Sequence, residues 1–295
     1  MNDLYAIDPE AITCVSQIRW IAEKFRPAEG RFIANFPNSW LKELRSNISD
    51  KNLDHTKLIE LLKVWPSYML QIDEKFSYGK PWIDNAMHVQ KNKRIFEMIL
   101  TTKRVESLSV FELVEVLESH IVLIKDCRED YIKPNALDYS KACDPLFQIS
   151  EEIVLYDYRF STRYLSYNGS TRDWRRLNVL VEMLKGMINY GKTKRFLIIF
   201  NKTAVAGIED KIQEDLDEVC SRACNHSIDL RYDIDDGKFT AGSKHPRCIF
   251  SIKAGLKFDQ GFQEFSTNEA NLVEWMTDIS LKPFREKFLK LFHSF

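Results

Sequence analysis

The sequence is poor in the residues that punctuate or staple a chain. Only 10 of its 295 residues are glycine and 9 are proline, which excludes collagen-like repeats and Gly/Pro-rich low complexity. Its six cysteines show no paired spacing, so a disulfide framework is not expected and the thiols read as reduced and mostly buried. Long hydrophobic runs are missing too. The longest, Phe196 to Phe200, is far below the roughly 20 residues a membrane-spanning helix needs. Nor is there an excess of one charge: 42 Lys+Arg stand against 43 Asp+Glu, a net charge of −1. Residues 151–295 carry 22 basic and 21 acidic side chains, so neither half is a polybasic coat for nucleic acid or an acidic tail. The first twenty residues lack a basic stretch followed by an apolar run, so no secretory leader is expected and a cytoplasmic setting is.

What is present is an ordinary globular composition, 44% hydrophobic and 12% aromatic, long enough for two domains. The first 140 residues read as a helical domain. Asp8-Pro9-Glu10 is a start signal followed by Ile12, Val15, Ile18, Ile21 and Phe25 at helical spacing. Further helices are expected after Asn38-Ser39, from Asp54 to Trp65, from Trp82 to Leu100, and from Ser107 to about Arg128. The stretch from Lys133 to Pro145, with two prolines, is the expected boundary. From residue 145 onward the pattern is α/β: a strand Glu152–Asp157, a helix Thr171–Tyr190 closed by Gly191, and a buried apolar strand Arg195–Asn201. A helix Thr203–Cys224, a strand Ser227–Ile234, a hairpin around Ala254-Gly255 and a final helix complete it. The expected class is α+β overall, with a mixed sheet in the second half.

Standard phosphate and hydrolase signatures are absent: no G-x-G-x-x-G, G-x-x-x-x-G-K-[ST], G-x-S-x-G or H-E-x-x-H occurs. Cys220 and Cys224 lie one helical turn apart near His226 but lack a second ligand pair, so they read as core thiols and not as zinc ligands. Asp229, Asp233, Asp235 and Asp236 read as a solvated strand face and a turn. No cofactor or metal is implied. The densest basic group is Arg172, Arg175 and Arg176 around Trp174; arginine beside an aromatic ring suits phosphate contact and base stacking, and a solvated first helical turn is the plain alternative. His245-Pro246-Arg247, preceded by Lys244, stands at the head of a strand. Imidazole can act there as nucleophile or acid, and guanidinium can grip phosphoryl oxygens.

The run His245-Pro246-Arg247-Cys248-Ile249-Phe250-Ser251-Ile252, then Gly255-Leu256-Lys257-Phe258 and Gly261-Phe262-Gln263-Glu264, resembles a block of the phospholipase D-like domain first described at the C-terminus of microtubule-interacting and trafficking proteins. Ile153 to Tyr158 is similar to that family's first strand, which ends in Asp-Pro-Tyr; Tyr158 stands here where proline is usual. The resemblance spans about residues 145–295. It implies catalytic places for His245 and Arg247; the basic residues Lys244, Arg172, Arg175 and Arg176, with Trp174, are by their clustering the candidate phosphate or nucleic-acid contacts. Phospholipase D enzymes use H-x-K-x-x-x-x-D twice, one histidine attacking phosphorus and the other protonating the leaving oxygen. This chain offers one such block, with Arg247 for lysine, Pro246 between, and Ile252 where an acid would follow.

Three functions follow. One is a nucleic-acid-binding module with a degenerate half-site, its first domain docking a protein partner. The resemblance places such a module in prokaryotic defence or mobile-element systems. Another is a metal-independent phosphodiesterase or nuclease that pairs two copies of His245 across a homodimer. The last is a non-catalytic adaptor.

Overall fold

The computed structural model describes residues 3–49, 62–63, 65, 68–103, 105, 109–119, 128–167, 169–239, 245–265 and 270–293. The chain divides into two compact units, Met1–Arg128 and Glu129–Phe295. The overall class is α+β and includes a mixed sheet.

The first unit is not helical. Its strands are β1 (Asp3–Ile7), β2 (Arg31–Asn35), β3 (Met69–Gln71), β4 (Phe96–Thr101) and β5 (Val110–Glu112); helix α1 (Val15–Lys24) follows β1, α2 (Trp40–Ser49) follows β2, α3 (Trp82–Lys93) precedes β4 and α4 (Leu113–Glu118) follows β5. The five strands form one sheet in the order β3-β2-β1-β4-β5, with every neighbouring pair parallel. Parallel neighbours cannot be joined by tight turns, and α1 supplies the crossover between β1 and β2. Alternate strand residues feed two cores. Tyr5, Ile7, Met98 and Leu100 meet Ile18, Ile21, Trp40 and Leu44 on one face, while Ala6, Ala34 and Ile99 meet Ala86 and Val89 of α3 on the other.

This corrects the helical expectation, and the reason is physical. Strands covered on both faces carry short, continuous apolar runs without the alternation that marks a half-exposed strand. Phe96–Thr101 was therefore absorbed into the helix before it. Val110–Glu112 was likewise absorbed into the helix after it. Asp8 does cap, but only a short 3-10 turn, Pro9–Ala11, and α1 begins at Val15. Gln17 accepts the Thr13 and Cys14 amide N–H groups and fixes that start. The helix expected from Asp54 lies mostly outside the described residues.

The second unit comprises β6 (Glu129–Ile132), α5 (Ala136–Ile149), β7 (Glu152–Asp157), β8 (Arg163–Ser166), β9 (Gly169–Arg172), α6 (Trp174–Tyr190), β10 (Arg195–Asn201), α7 (Ile212–Arg222), β11 (Asp229–Asp235), β12 (Arg247–Phe250), β13 (Gly255–Phe258), β14 (Asn271–Trp275) and α8 (Asp278–Phe288). The expected boundary segment lies mainly within α5. Pro134 precedes its cap Asn135, which accepts the Asp138 N–H, and Pro145 sits inside the helix. Seven strands pair in the order β11-β10-β7-β12-β13-β14-β6. The first three are mutually parallel, and from β7 onward the neighbours are antiparallel. Val154, Tyr156, Leu197, Ile199 and Phe250 bury one face against Phe284 and Phe288 of α8. On the other side, Tyr139 of α5 stacks at 5.6 Å on Phe258. Gly186 lets α6 approach α5: a Cβ there would stand 2.7 Å from Ser140 Oγ. Gly191, in the left-handed region, closes α6 as the sequence indicates.

Candidate functional site

The chain steps outward from β7 through α6 to β10 and then β11, and returns on the opposite edge of β7 as β12. The loops that follow β7 and β10 lie at the carboxyl ends of these parallel strands, the side on which open α/β sheets place ligand crevices. A cleft of about 520 Å³ lies there, lined among others by Tyr158, Arg159, Arg163, Tyr164, Arg176 and Thr203.

Asp157, the last residue of β7 and only 2% exposed, directly precedes the cleft residues Tyr158 and Arg159. One carboxylate oxygen accepts the Arg159 amide N–H at 2.9 Å and the other accepts that of Phe262 at 3.1 Å. Burial raises its pKa above the ordinary carboxylate value; those two amides, then Arg247 and Arg176, oppose the rise. Gly261 is required beside it, because a Cβ at that position would stand 2.9 Å from Asp157 Oδ2.

Arg247 faces Asp157 across the β7–β12 register. Its Nε lies 3.8 Å from the carboxylate, and its Nη1 donates to the Asp259 carbonyl. The guanidinium is thus engaged with the sheet's own acid and loop, and Arg247 does not line the cleft. His245 is exposed, with its ring 4.8 Å from that of Tyr158. The Tyr158 amide donates to the Pro246 carbonyl, so the strand head carrying His245 is stitched to the cleft rim. Lys244 lies outside the described residues.

The basic group at 172–176 is divided three ways. Arg172 Nε donates to Asp215 at 2.8 Å and its Nη2 to Glu214 at 2.6 Å, which commits it to α7. Trp174 is part-exposed and flanked by Arg222 at 4.8 Å and Arg172 at 5.8 Å. Arg175 projects to solvent and pairs with Asp173 at 3.2 Å. Only Arg176 reaches the cleft. Its Nε donates to Gln263 at 3.0 Å, its Nη1 to the Ser161 carbonyl at 3.4 Å, and Asp173 lies 3.6 Å away. Burial lowers the Arg176 pKa below the usual guanidinium value, though arginine stays charged at any pH a protein tolerates. Asp173 serves two arginines at once, and its carboxylate makes no capping bond to α6.

Arg159, Arg163, Tyr158 and Tyr164 were missed by the sequence reading. Arg163 is fully committed, with Nε on Asp215 at 2.8 Å and Nη2 on Glu214 at 3.0 Å. Arg159 is different. It is exposed on the cleft wall, and among the described residues no ion pair to its side chain is found. A usable signal existed in the sequence: Asp157-Tyr158-Arg159 directly follows a strongly apolar strand, the position at which parallel sheets present ligand contacts.

Among the described residues no group of three or more His, Cys, Asp or Glu is placed to hold a metal ion, and no helix is long and apolar enough to cross a membrane. No protein-family model matches the chain, and no curated protein matches it closely. Among solved structures, the chain is similar to that of TrmBL2, an archaeal chromatin protein described as showing a novel mode of DNA binding. The identity is 13%, over 87% of this chain and 81% of that one, with a TM-score of 0.29. At that level the likeness carries no argument about this chain.

Proposed function

We propose that the 129–295 unit is a phospholipase D-like module that binds the phosphodiester groups of nucleic acid without cleaving them. The observation that carries this reading is the pair of guanidinium groups in the cleft. Arg159 has no counter-ion among the described residues, and Arg176 shares its ion-pair partner Asp173 with Arg175. A cleft wall with surplus guanidinium charge and a hydroxyl side, Thr203 and Ser161, suits phosphoryl oxygens. His245 stands at its rim beside Tyr158, as the resemblance to that family implies. Binding is favoured over hydrolysis because Arg247, the cation a half-site would turn on phosphorus, is directed at Asp157 and the Asp259 carbonyl.

The test is retention of a labelled oligonucleotide as a function of salt. The intact protein should bind at low salt and release progressively, and Arg159→Ala should weaken binding and lower the salt slope by about one. The oligonucleotide should be recovered whole. Cleavage that persists in EDTA and disappears in His245→Ala would replace this reading with the nuclease one, and no retention at low salt would overturn nucleic-acid binding altogether.

A further inference from the structure

β8 and β9 form a two-stranded hairpin that joins neither larger sheet. Such a hairpin is marginal by itself, and this one is fastened at its base. Arg163 and Arg172 sit directly opposite each other in its register, and both fork onto the Glu214–Asp215 pair of α7. The Asp215 side chain is fully buried. Lys211 Nζ adds a bond to Ser170 Oγ at 3.0 Å. Held in this way, the arm exposes large apolar side chains to water: Tyr164 is 50% exposed, Leu165 72% and Tyr167 fully so. Neighbouring exposed apolar side chains on a clamped element form the kind of surface that marks a binding site. Two of the three, Tyr164 and Leu165, also line the cleft that holds Arg159 and Arg176.

From this juxtaposition of exposed rings with surplus guanidinium charge, we propose that the hairpin is a stacking platform and that the ligand is a single-stranded nucleic acid. The inference rests on the cleft reading above. Phosphates would sit at Arg159 and Arg176, with unpaired bases laid on Tyr164 and Tyr167. Duplex bases are already stacked on one another and cannot present their faces to those rings, whereas every unpaired base has a free π face. A protein partner would be served by the apolar surface but has no general use for the guanidinium pair beside it.

The experiment compares fluorescence anisotropy of a labelled single-stranded oligothymidylate with that of a labelled duplex of equal length. The proteins are the full chain, the double variant Tyr164→Ala/Tyr167→Ala, its counterpart Tyr164→Phe/Tyr167→Phe, and Arg159→Ala; circular dichroism confirms that each is folded. The single strand should bind at least about tenfold more tightly than the duplex. The alanine variant should lose about tenfold or more of that affinity, the phenylalanine variant should keep it, and Arg159→Ala should weaken both ligands. Equal affinity for strand and duplex, or an alanine variant that binds as the parent does, overturns the stacking platform and leaves the phosphate cleft standing. Failure of both ligands to bind overturns the two together.

Discussion

Asp8 directly follows the first strand of the 1–128 unit, and Asp157 is the last residue of strand β7 in the 129–295 unit; both are nearly inaccessible. Each acid accepts the amide N–H of the residue two further on, Glu10 at 3.0 Å and Arg159 at 2.9 Å. In both, burial raises the carboxyl pKa. The neighbouring strand then separates them. In the first unit, α3 crosses over before β4, so β4 runs parallel to β1 and presents its last residue, Thr101, whose hydroxyl donates to Asp8 at 3.1 Å. In the second, β12 runs antiparallel to β7 and presents its first residue, Arg247. The surrounding charge differs in sign as well: Glu10 and Glu43 add to the rise at Asp8, while Arg247 and Arg176 oppose it at Asp157. One local device, an acid at the carboxyl end of a buried strand, is therefore set in an acidic environment in one unit and a basic one in the other. Near-equal charge totals in the two halves of the sequence conceal this.

Arg247→Ala should break the comparison most. It leaves Asp157 buried without its nearest cation and should cost about 3–5 kcal/mol at neutral pH. Loss of the cation raises the folded-state pKa of Asp157 further, so the folded chain holds that proton more tightly than the unfolded one. The penalty is therefore present above that pKa and fades as pH falls. Urea unfolding in mildly acidic and mildly alkaline buffer, followed by exchange of the β7 and β12 amides, measures it. Next comes Asp215→Asn, which removes the charge that anchors the hairpin through Arg163 and Arg172. A loss of about 3 kcal/mol is expected, with amide protection lost first in β8 and β9.

A third acid, half-buried, separates the effect of desolvation from that of a guanidinium partner. Asp144, on α5, has its pKa pushed up to about 6 by burial, opposed only by a hydrogen bond from Tyr190 and by Lys141. Its folded pKa lies above the unfolded one, so stability is fullest below the unfolded value and declines as pH rises to about 6. Asp144→Asn should flatten that decline and raise stability at neutral pH by on the order of 2 kcal/mol, read by thermal unfolding across that range. The smallest effect belongs to Thr101→Val, which removes one of the hydrogen bonds to Asp8 and should cost about 1 kcal/mol by urea unfolding. A loss as large as that of Arg247→Ala would mean that the hydroxyl and the guanidinium do equivalent work, and would erase the contrast.

Much of the second unit was legible in the sequence. β7 matches the expected strand Glu152–Asp157, β10 matches Arg195–Asn201, and β12 and β13 pair as the expected hairpin, with its turn at 251–254 because Gly255 already pairs with Phe250. These segments have sharp polar or glycine boundaries. The hairpin of β8 and β9 was not seen, because Arg163 to Arg172 mixes charged and apolar residues with no regular period; its stability comes from Asp215, over 40 residues away. In the first unit the strands were hidden by brevity: Asp3–Ile7 and Arg31–Asn35 are five residues each and carry no alternation to mark them.

The candidate site divides along the same line. Its residue types were visible: a basic group near an aromatic ring, and a histidine and an arginine at a strand head. Which cations stay available was not, because neutralisation is a matter of long-range pairing. Arg172 is cancelled by Glu214 and Asp215, and Arg247 is drawn to Asp157. Arg159, isolated in the sequence, is left on the cleft wall. By itself the sequence determined where β7, α6, β10 and β11 lie along the second half, since apolar runs and glycine stops are local properties of the chain. Only the tertiary structure decided the sense of β4 and β12 beside their neighbours, and with it which acid meets a hydroxyl and which meets a guanidinium. Coulombic pairing and burial act on distance in space, and spacing along the chain does not encode that distance.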